Sequence, residues 1–299
     1  MRWRWIMSVV VLLAGCASRT GDPAARPEAP TTSYLVKETT LVNGAVAVHL
    51  DIPFQPTGPK PAVIALLGDS HPIVAEGWVA VTYSVRWGLL RPPQPTPAPD
   101  QTVAGKWVLA SPSADIIGQQ YLRDIATTAD TYLPAVIDWL VAQPEIDPTR
   151  LAIAGSSTNG FIALRAAAVD RRLGVVVAIA ACGDYERFLQ FSEMGMAGKP
   201  LALSPAYAQW LHSQEVISDP TQLTHAAVLM INRSPDPLIP VSCADETARV
   251  LTDAFTRAGV PQRFRYLRFD TEGHGVGGPE LAETMAWLKQ WLASPPSTG

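Results

Sequence analysis

The chain has 299 residues, a formal net charge of −4 and 47% hydrophobic residues. This is enough apolar material for a sizeable core, and the length suits one large α/β domain behind a short leader. The small net charge and the absence of any run of Lys or Arg exclude the basic surface on which nucleic-acid binding depends.

Residues 1–16 read as an export signal. Arg2 and Arg4 supply a positive end, and the apolar run Ile6 to Ala14 is too short for a stable membrane span. The run closes Leu13-Ala14-Gly15-Cys16, which resembles the lipobox of bacterial lipoproteins. That resemblance implies that Cys16 is lipidated. With Ala17 and Ser18 following and no Asp, it also implies an outer-membrane anchor in the cell envelope. An ordinary secretory signal is the plainer alternative. Residues 17–32 are rich in Pro, Ala and Thr, cannot bury a core, and read as a flexible tether. Residues 33–299 form the folded domain.

Within that domain, Tyr34–Leu41 and Ala45–Ile52 flank Val42-Asn43-Gly44, and Asn-Gly between two β-rich runs predicts a hairpin. Ala62–Leu67 and Trp78–Tyr83 are continuous apolar runs, the pattern of strands buried on both faces of a parallel sheet. Further strands are predicted at Leu151–Ala154, Val175–Ala180, Ala227–Ile231 and Arg263–Phe269. Helices are predicted over the apolar stripe Tyr132, Leu133, Val136, Ile137, Leu140 and Val141, over Pro240–Ala258, and over Pro279–Ala293. The alternation predicts an α/β fold: a mainly parallel sheet covered by helices on both faces, behind an N-terminal hairpin. Two stretches break it. Gly88–Gly118 is long and proline-rich. Residues 184–224 hold Tyr185, Phe188, Phe191, Tyr207 and Trp210 and read as a small helical cap insertion, either packing on the domain or walling a substrate site.

The chemistry centres on Ala154-Gly155-Ser156-Ser157-Thr158-Asn159-Gly160. An apolar strand, a turn of small residues and a helix are the setting of a nucleophile elbow, with Ser157 exposed at its tip. The plainer alternative is a Gly/Ser/Asn loop between a strand and a helix. A serine needs a base, and the base needs an orienting acid. Of five histidines, His274 sits in a polar glycine loop directly after the last strand and is the candidate base. His71, after an early strand, is placed to touch substrate, whereas His49, His212 and His225 read as surface or packing residues. Asp236, between two prolines after the strand Ala227–Ile231, is the candidate acid, with Asp184 and Glu272 as alternatives. The oxyanion donors are expected at the N–H of Thr158 and at Gly68 or Asp69.

Three cysteines occur. Cys16 belongs to the leader. Cys182 and Cys243 are either a disulfide, which an oxidising compartment permits, or two buried thiols. No Cys/His spacing suggests a metal site.

Together these residues resemble the α/β-hydrolase superfamily, and within it the dienelactone-hydrolase and prolyl-oligopeptidase-like esterases. The likeness is carried by Asp138-Trp139-Leu140, by Gln143-Pro144-Glu145-Ile146-Asp147-Pro148-Thr149-Arg150-Leu151, by the Asp236–Pro240 loop and by Gly273-His274-Gly275. It implies a Ser157 nucleophile, an Asp236 acid and a His274 base, no metal or organic cofactor, and cleavage of a small-molecule or carbohydrate-linked ester. A peptidase or amidase with the same triad is the alternative, and a non-catalytic binding lipoprotein on the same scaffold is the rival from another class. The chain departs from the family twice. Asn159 stands where the second elbow glycine is usual, a form similar to the glucuronoyl esterase elbow. Leu67-Gly68 stands where His-Gly is common.

Overall fold

The computed structural model describes residues 34–54, 58–66, 70–85, 102–103, 106–107, 114–198 and 200–293. The leader, the tether, and the residues Cys16, Gly68 and Asp69 lie outside the described residues. The described chain runs β1 (Tyr34–Leu41), β2 (Val46–Pro53), β3 (Lys60–Leu66), α1 (His71–Ala75) and β4 (Val79–Val85). Next come β5 (Thr102–Val103), β6 (Lys106–Trp107), α2 (Ala114–Thr127), α3 (Leu133–Val141), β7 (Ile146–Ser156), α4 (Thr158–Val169) and β8 (Leu173–Ile179). The last part is α5 (Tyr185–Phe191), α6 (Pro205–Gln214), β9 (Ala227–Arg233), α7 (Val241–Arg257), β10 (Phe264–Phe269) and α8 (Gly278–Leu292).

Eight strands form one sheet in the order β1-β2-β4-β3-β7-β8-β9-β10. The hairpin β1–β2 and the pair β2–β4 are antiparallel, and the strands from β4 to β10 are mutually parallel. Successive side chains of a strand point to opposite faces. Leu151, Ala152, Ile153 and Ala154 of β7 are each no more than 1% exposed, so both faces of the sheet are covered at its centre. Val228 to Ile231 of β9 are equally buried. The continuous apolar runs thus fold as read, into the α/β-hydrolase arrangement with the hairpin at one edge.

The hairpin turn carries φ of 52° at Val42, 53° at Asn43 and 83° at Gly44, a conformation that glycine and asparagine adopt most readily. The proline-rich excursion is shorter than expected, because α2 begins at Ala114 and Gly118 lies inside it. Between α2 and α3 the backbone makes one π turn, Thr128–Tyr132, in which the Leu133 N–H reaches back to the Thr128 carbonyl. Pro134 follows at the head of α3; a proline lacks the N–H that would continue the α pattern and crowds the preceding turn. In the predicted cap region lie α5, α6 and a 3-10 turn, Pro220–Leu223. The carbonyls of Pro237 and Leu238 accept from the Glu193 N–H and the Ser192 hydroxyl, at 3.0 and 2.6 Å.

Cys182 and Cys243 are fully buried and form a disulfide with Cα atoms 5.8 Å apart. Among the described residues no helix is long and apolar enough to cross a membrane.

Candidate active site

The elbow is built from close packing. At Ser157 the backbone takes φ 57°, ψ −125°, a strained conformation for a non-glycine residue. Its N–H donates to the Ile179 carbonyl at the end of β8, 2.9 Å away. The helix α4 starts at once with Thr158, so chain must pass over chain. A Cβ on Gly155 would stand 2.2 Å from the Asn159 carbonyl oxygen, which explains the glycine two residues before the serine. The second glycine is displaced by one position, and its role moves with it. A Cβ on Gly160 would fall 2.8 Å from both the Ile179 carbonyl oxygen and the Ala181 Cβ. Asn159 fits inside the helix while Gly160 faces β8.

Two side chains hold this helix in place. Arg165 of α4 makes a bidentate pair with Asp130 of the π turn, both bonds at 2.9 Å. Tyr121 of α2 donates from its hydroxyl to Thr158 Oγ1 at 3.2 Å. Burial pushes the Tyr121 hydroxyl up to about 12, so it remains a donor at neutral pH. Its ring sits 6.2 Å from Phe161 and 5.8 Å from Phe188, offset and edge contacts of the kind aromatic pairs prefer.

The structure brings Ser157, His274 and Asp236 together. His274 Nε2 lies 2.9 Å from Ser157 Oγ, and His274 Nδ1 lies 2.8 Å from Asp236 Oδ2. Both distances suit proton transfer through a positioned imidazole. The Asp236 side chain is 1% exposed. Its other oxygen, Oδ1, accepts from the N–H groups of Leu238 and Ile239 at 2.9 and 3.1 Å. A buried side chain with both oxygens so bonded is fixed in direction. The backbone ties the two loops together: Gly273 N–H donates to the Pro235 carbonyl and Ser234 N–H to the Phe269 carbonyl, each at 2.9 Å.

Thr158 opens α4, where first-turn N–H groups lack intrahelical partners, so its placement suits an oxyanion donor. The alternative acids do not join the relay. Asp184 caps α5 by accepting from the Arg187 N–H at 2.9 Å and pairs with the Arg187 guanidinium, and Glu272 is exposed. Of the other histidines, His49 lies between Glu38 and Asp51 at 2.9 and 2.8 Å, and Asp51 in turn accepts from the Ser70 hydroxyl at 2.6 Å. His212 is exposed, His225 Nδ1 meets the Gln222 carbonyl at 2.8 Å, and His71 begins α1. Among the described residues no cluster of His, Cys, Asp or Glu is arranged to hold a metal ion.

Sequence reasoning missed Tyr121 and the pair Arg233–Glu280. Tyr121 lies three residues beyond the stretch read as an excursion. Arg233 is adjacent to the acid loop in sequence, but a partner 47 residues away leaves no local signal.

The family model described as the prolyl oligopeptidase family matches residues 126–295. YtaP of Bacillus subtilis (strain 168), itself assigned as a hydrolase, is 22% identical over 158 residues, 53% of this chain and 51% of that protein. The present chain therefore spans about half the length of that relative. A puromycin-hydrolyzing peptidase of Mycobacterium tuberculosis superposes with a TM-score of 0.62 at 16% identity, over 87% of this chain and 39% of its own. An acetyl xylan esterase from Paenibacillus sp. R4 does so with a TM-score of 0.59 at 16% identity, over 89% of this chain and 87% of its own.

Proposed function

Because the chain belongs to the prolyl oligopeptidase family of α/β-hydrolases, we propose that it is a serine hydrolase cleaving carboxylic esters through an acyl-enzyme. The observation that carries this reading is the unbroken relay from Ser157 Oγ through His274 to a buried Asp236, at 2.9 and 2.8 Å. In the proposed mechanism Ser157 Oγ attacks the acyl carbon while His274 Nε2 takes the hydroxyl proton. Asp236 stabilises the imidazolium and holds its orientation. As the tetrahedral adduct collapses, the ester C–O bond breaks and His274 returns the proton to the leaving alkoxide. Water then attacks the acyl-enzyme by the same route, releasing the acid and restoring Ser157. The Thr158 N–H, with Gly68 or Asp69, is the proposed stabiliser of the developing oxyanion. The chemistry so written routes no step through a cofactor.

Esters are preferred to peptides in this proposal on one ground. The acetyl xylan esterase is matched over nearly all of its length, and the peptidase over little more than a third. The peptidase reading keeps the same three residues and differs only in the leaving group. The deciding experiment is a panel of p-nitrophenyl acyl esters against matched anilides, with Ser157→Ala as control. Turnover of esters that survives Ser157→Ala sinks the nucleophile assignment, and faster turnover of anilides than of esters sinks the ester preference. The further proposal that Cys16 carries the lipid of an outer-membrane anchor is tested by metabolic labelling with palmitate; label retained in Cys16→Ala refutes it.

A further inference from the structure

His274 sits in a loop that has little stiffness of its own. Gly273, Gly275, Gly277 and Gly278 surround it, with φ of +100° at Gly273 and +157° at Gly275, and glycine-rich backbone has the most freedom to lose. On its N-terminal side the loop is pinned by the Gly273–Pro235 bond. On its C-terminal side the anchor is an ion pair. Arg233, the last residue of β9 and three before the acid, donates from Nε to Glu280 Oε1 at 2.6 Å. Glu280, in the first turn of α8 and six residues after the base, accepts at Oε2 from the Gly277 N–H at 2.9 Å. The loop closes over the guanidinium: a Cβ on Gly277 would lie 2.9 Å from Arg233 Nη2, and one on Gly275 4.0 Å from Nη1.

Glu280 is 2% exposed. Burial drives its carboxyl up, and the Arg233 guanidinium together with the backbone N–H groups of Glu280 and Gly277 outweighs this and holds it below the usual carboxylate range. A buried pair of this kind adds little net stability over well-packed apolar residues. What it fixes is geometry, and the segments it joins are those that carry Asp236 and His274.

We infer that Arg233 and Glu280 are positioning residues, whose ion pair keeps the glycine loop seated so that His274 stays between Asp236 and Ser157. The inference rests on the reading of those three residues as the reacting groups.

The test uses the full chain with Glu280→Gln, Arg233→Met and Arg233→Lys. Turnover of p-nitrophenyl acetate is measured per active site titrated with a fluorophosphonate. The low-field proton resonance of the imidazole N–H bonded to Asp236, assigned by its loss in His274→Ala, reports the relay without substrate. Glu280→Gln and Arg233→Met are expected to lower kcat about ten- to a hundredfold, the scale of a small misplacement at a reacting group. KM stays nearly unchanged, the imidazole resonance broadens, and Arg233→Lys recovers part of both. Unchanged kcat per titrated site and an unchanged resonance, with only a lower Tm, overturn the inference. If Glu280→Gln does not fold, Arg233→Met decides in the same way: lower kcat at wild-type Tm supports it, wild-type kcat overturns it. Failure of the wild type to react with the fluorophosphonate would instead refute the reading of Ser157, while the resonance still judges the clamp.

Discussion

Gly160→Ala separates the packing account of the elbow from a propensity account. In an exposed helix interior, alanine is more stable than glycine by about 1 kcal/mol, so propensity alone predicts a more stable protein. At this position the added methyl would meet the Ile179 carbonyl oxygen and the Ala181 Cβ, each at 2.8 Å. Neither atom is the end of a flexible side chain. Overpacking of a rigid site costs about 1–3 kcal/mol, and two simultaneous clashes, one with the last residue of β8 and one with Ala181 just beyond it, place it at the upper end. Subtracting the helix gain leaves a loss of about 2 kcal/mol, or roughly 4–8 °C in Tm at the scaling for large domains. The Ile179 carbonyl is also the acceptor for the Ser157 N–H, so kcat should fall with stability. Thermal unfolding and ester turnover measure both. Gly278→Ala is the control, because a Cβ there meets nothing within 4 Å, and its effect should stay within about 0.5 kcal/mol. A Gly160→Ala protein as stable and as active as wild type would refute the close-packing account.

Asp236→Asn should keep the loop, since the amide oxygen still accepts from Leu238 and Ile239, but presents the wrong group to His274; kcat should fall by about 10³–10⁴, and a loss under tenfold in steady-state assays would count against the assigned acid. The disulfide spans a sequence separation of 61, for which loop-closure entropy gives about 4 kcal/mol; urea midpoints should fall on reduction or in Cys182→Ala/Cys243→Ala, and midpoints indifferent to reductant would contradict the bridge. His49 should stabilise the fold more in acid than in base. Burial works against its charge, and its bonds to Glu38 and Asp51 outweigh this and raise its pKa. A raised folded value makes the contribution complete below histidine's unfolded value of about 6.5 and lost as pH rises through the folded one. The stability gap between wild type and His49→Gln, from denaturation curves, should therefore narrow from about pH 5 to about pH 8.5; a gap that widens reverses the sign.

The strands were legible because burial on both faces writes an unbroken apolar run, as in Leu151–Ala154 and Val228–Ile231. The positions of Ser157, Asp236 and His274 were legible for a related reason: each follows a strand, and loops after parallel strands gather at one edge of the sheet. What could not be read was contact at a distance. Asn159 looked like a defect in the elbow until the sheet showed that Gly160, one residue on, is the position pressed against β8. Helix α2 was hidden because its first residues adjoin a proline-rich segment, and composition there outweighed the periodicity that begins at Ala114. The disulfide stayed open between two readings because sequence separation carries no distance. The Arg233–Glu280 pair was invisible for the same reason.

The π turn at Thr128–Tyr132 holds one residue more than a regular helical path requires. Each residue of an α-helix advances the rotation by about 100°, so this extra residue sets the angular phase of α2 against α3. Deleting it would let the two segments run on as one regular helix, with α3 still seated on the sheet. Tyr121 would then swing away from Thr158 by more than a quarter turn. Local backbone irregularity here acts as a register mark, aligning a distant aromatic hydroxyl with the first residue after the nucleophile.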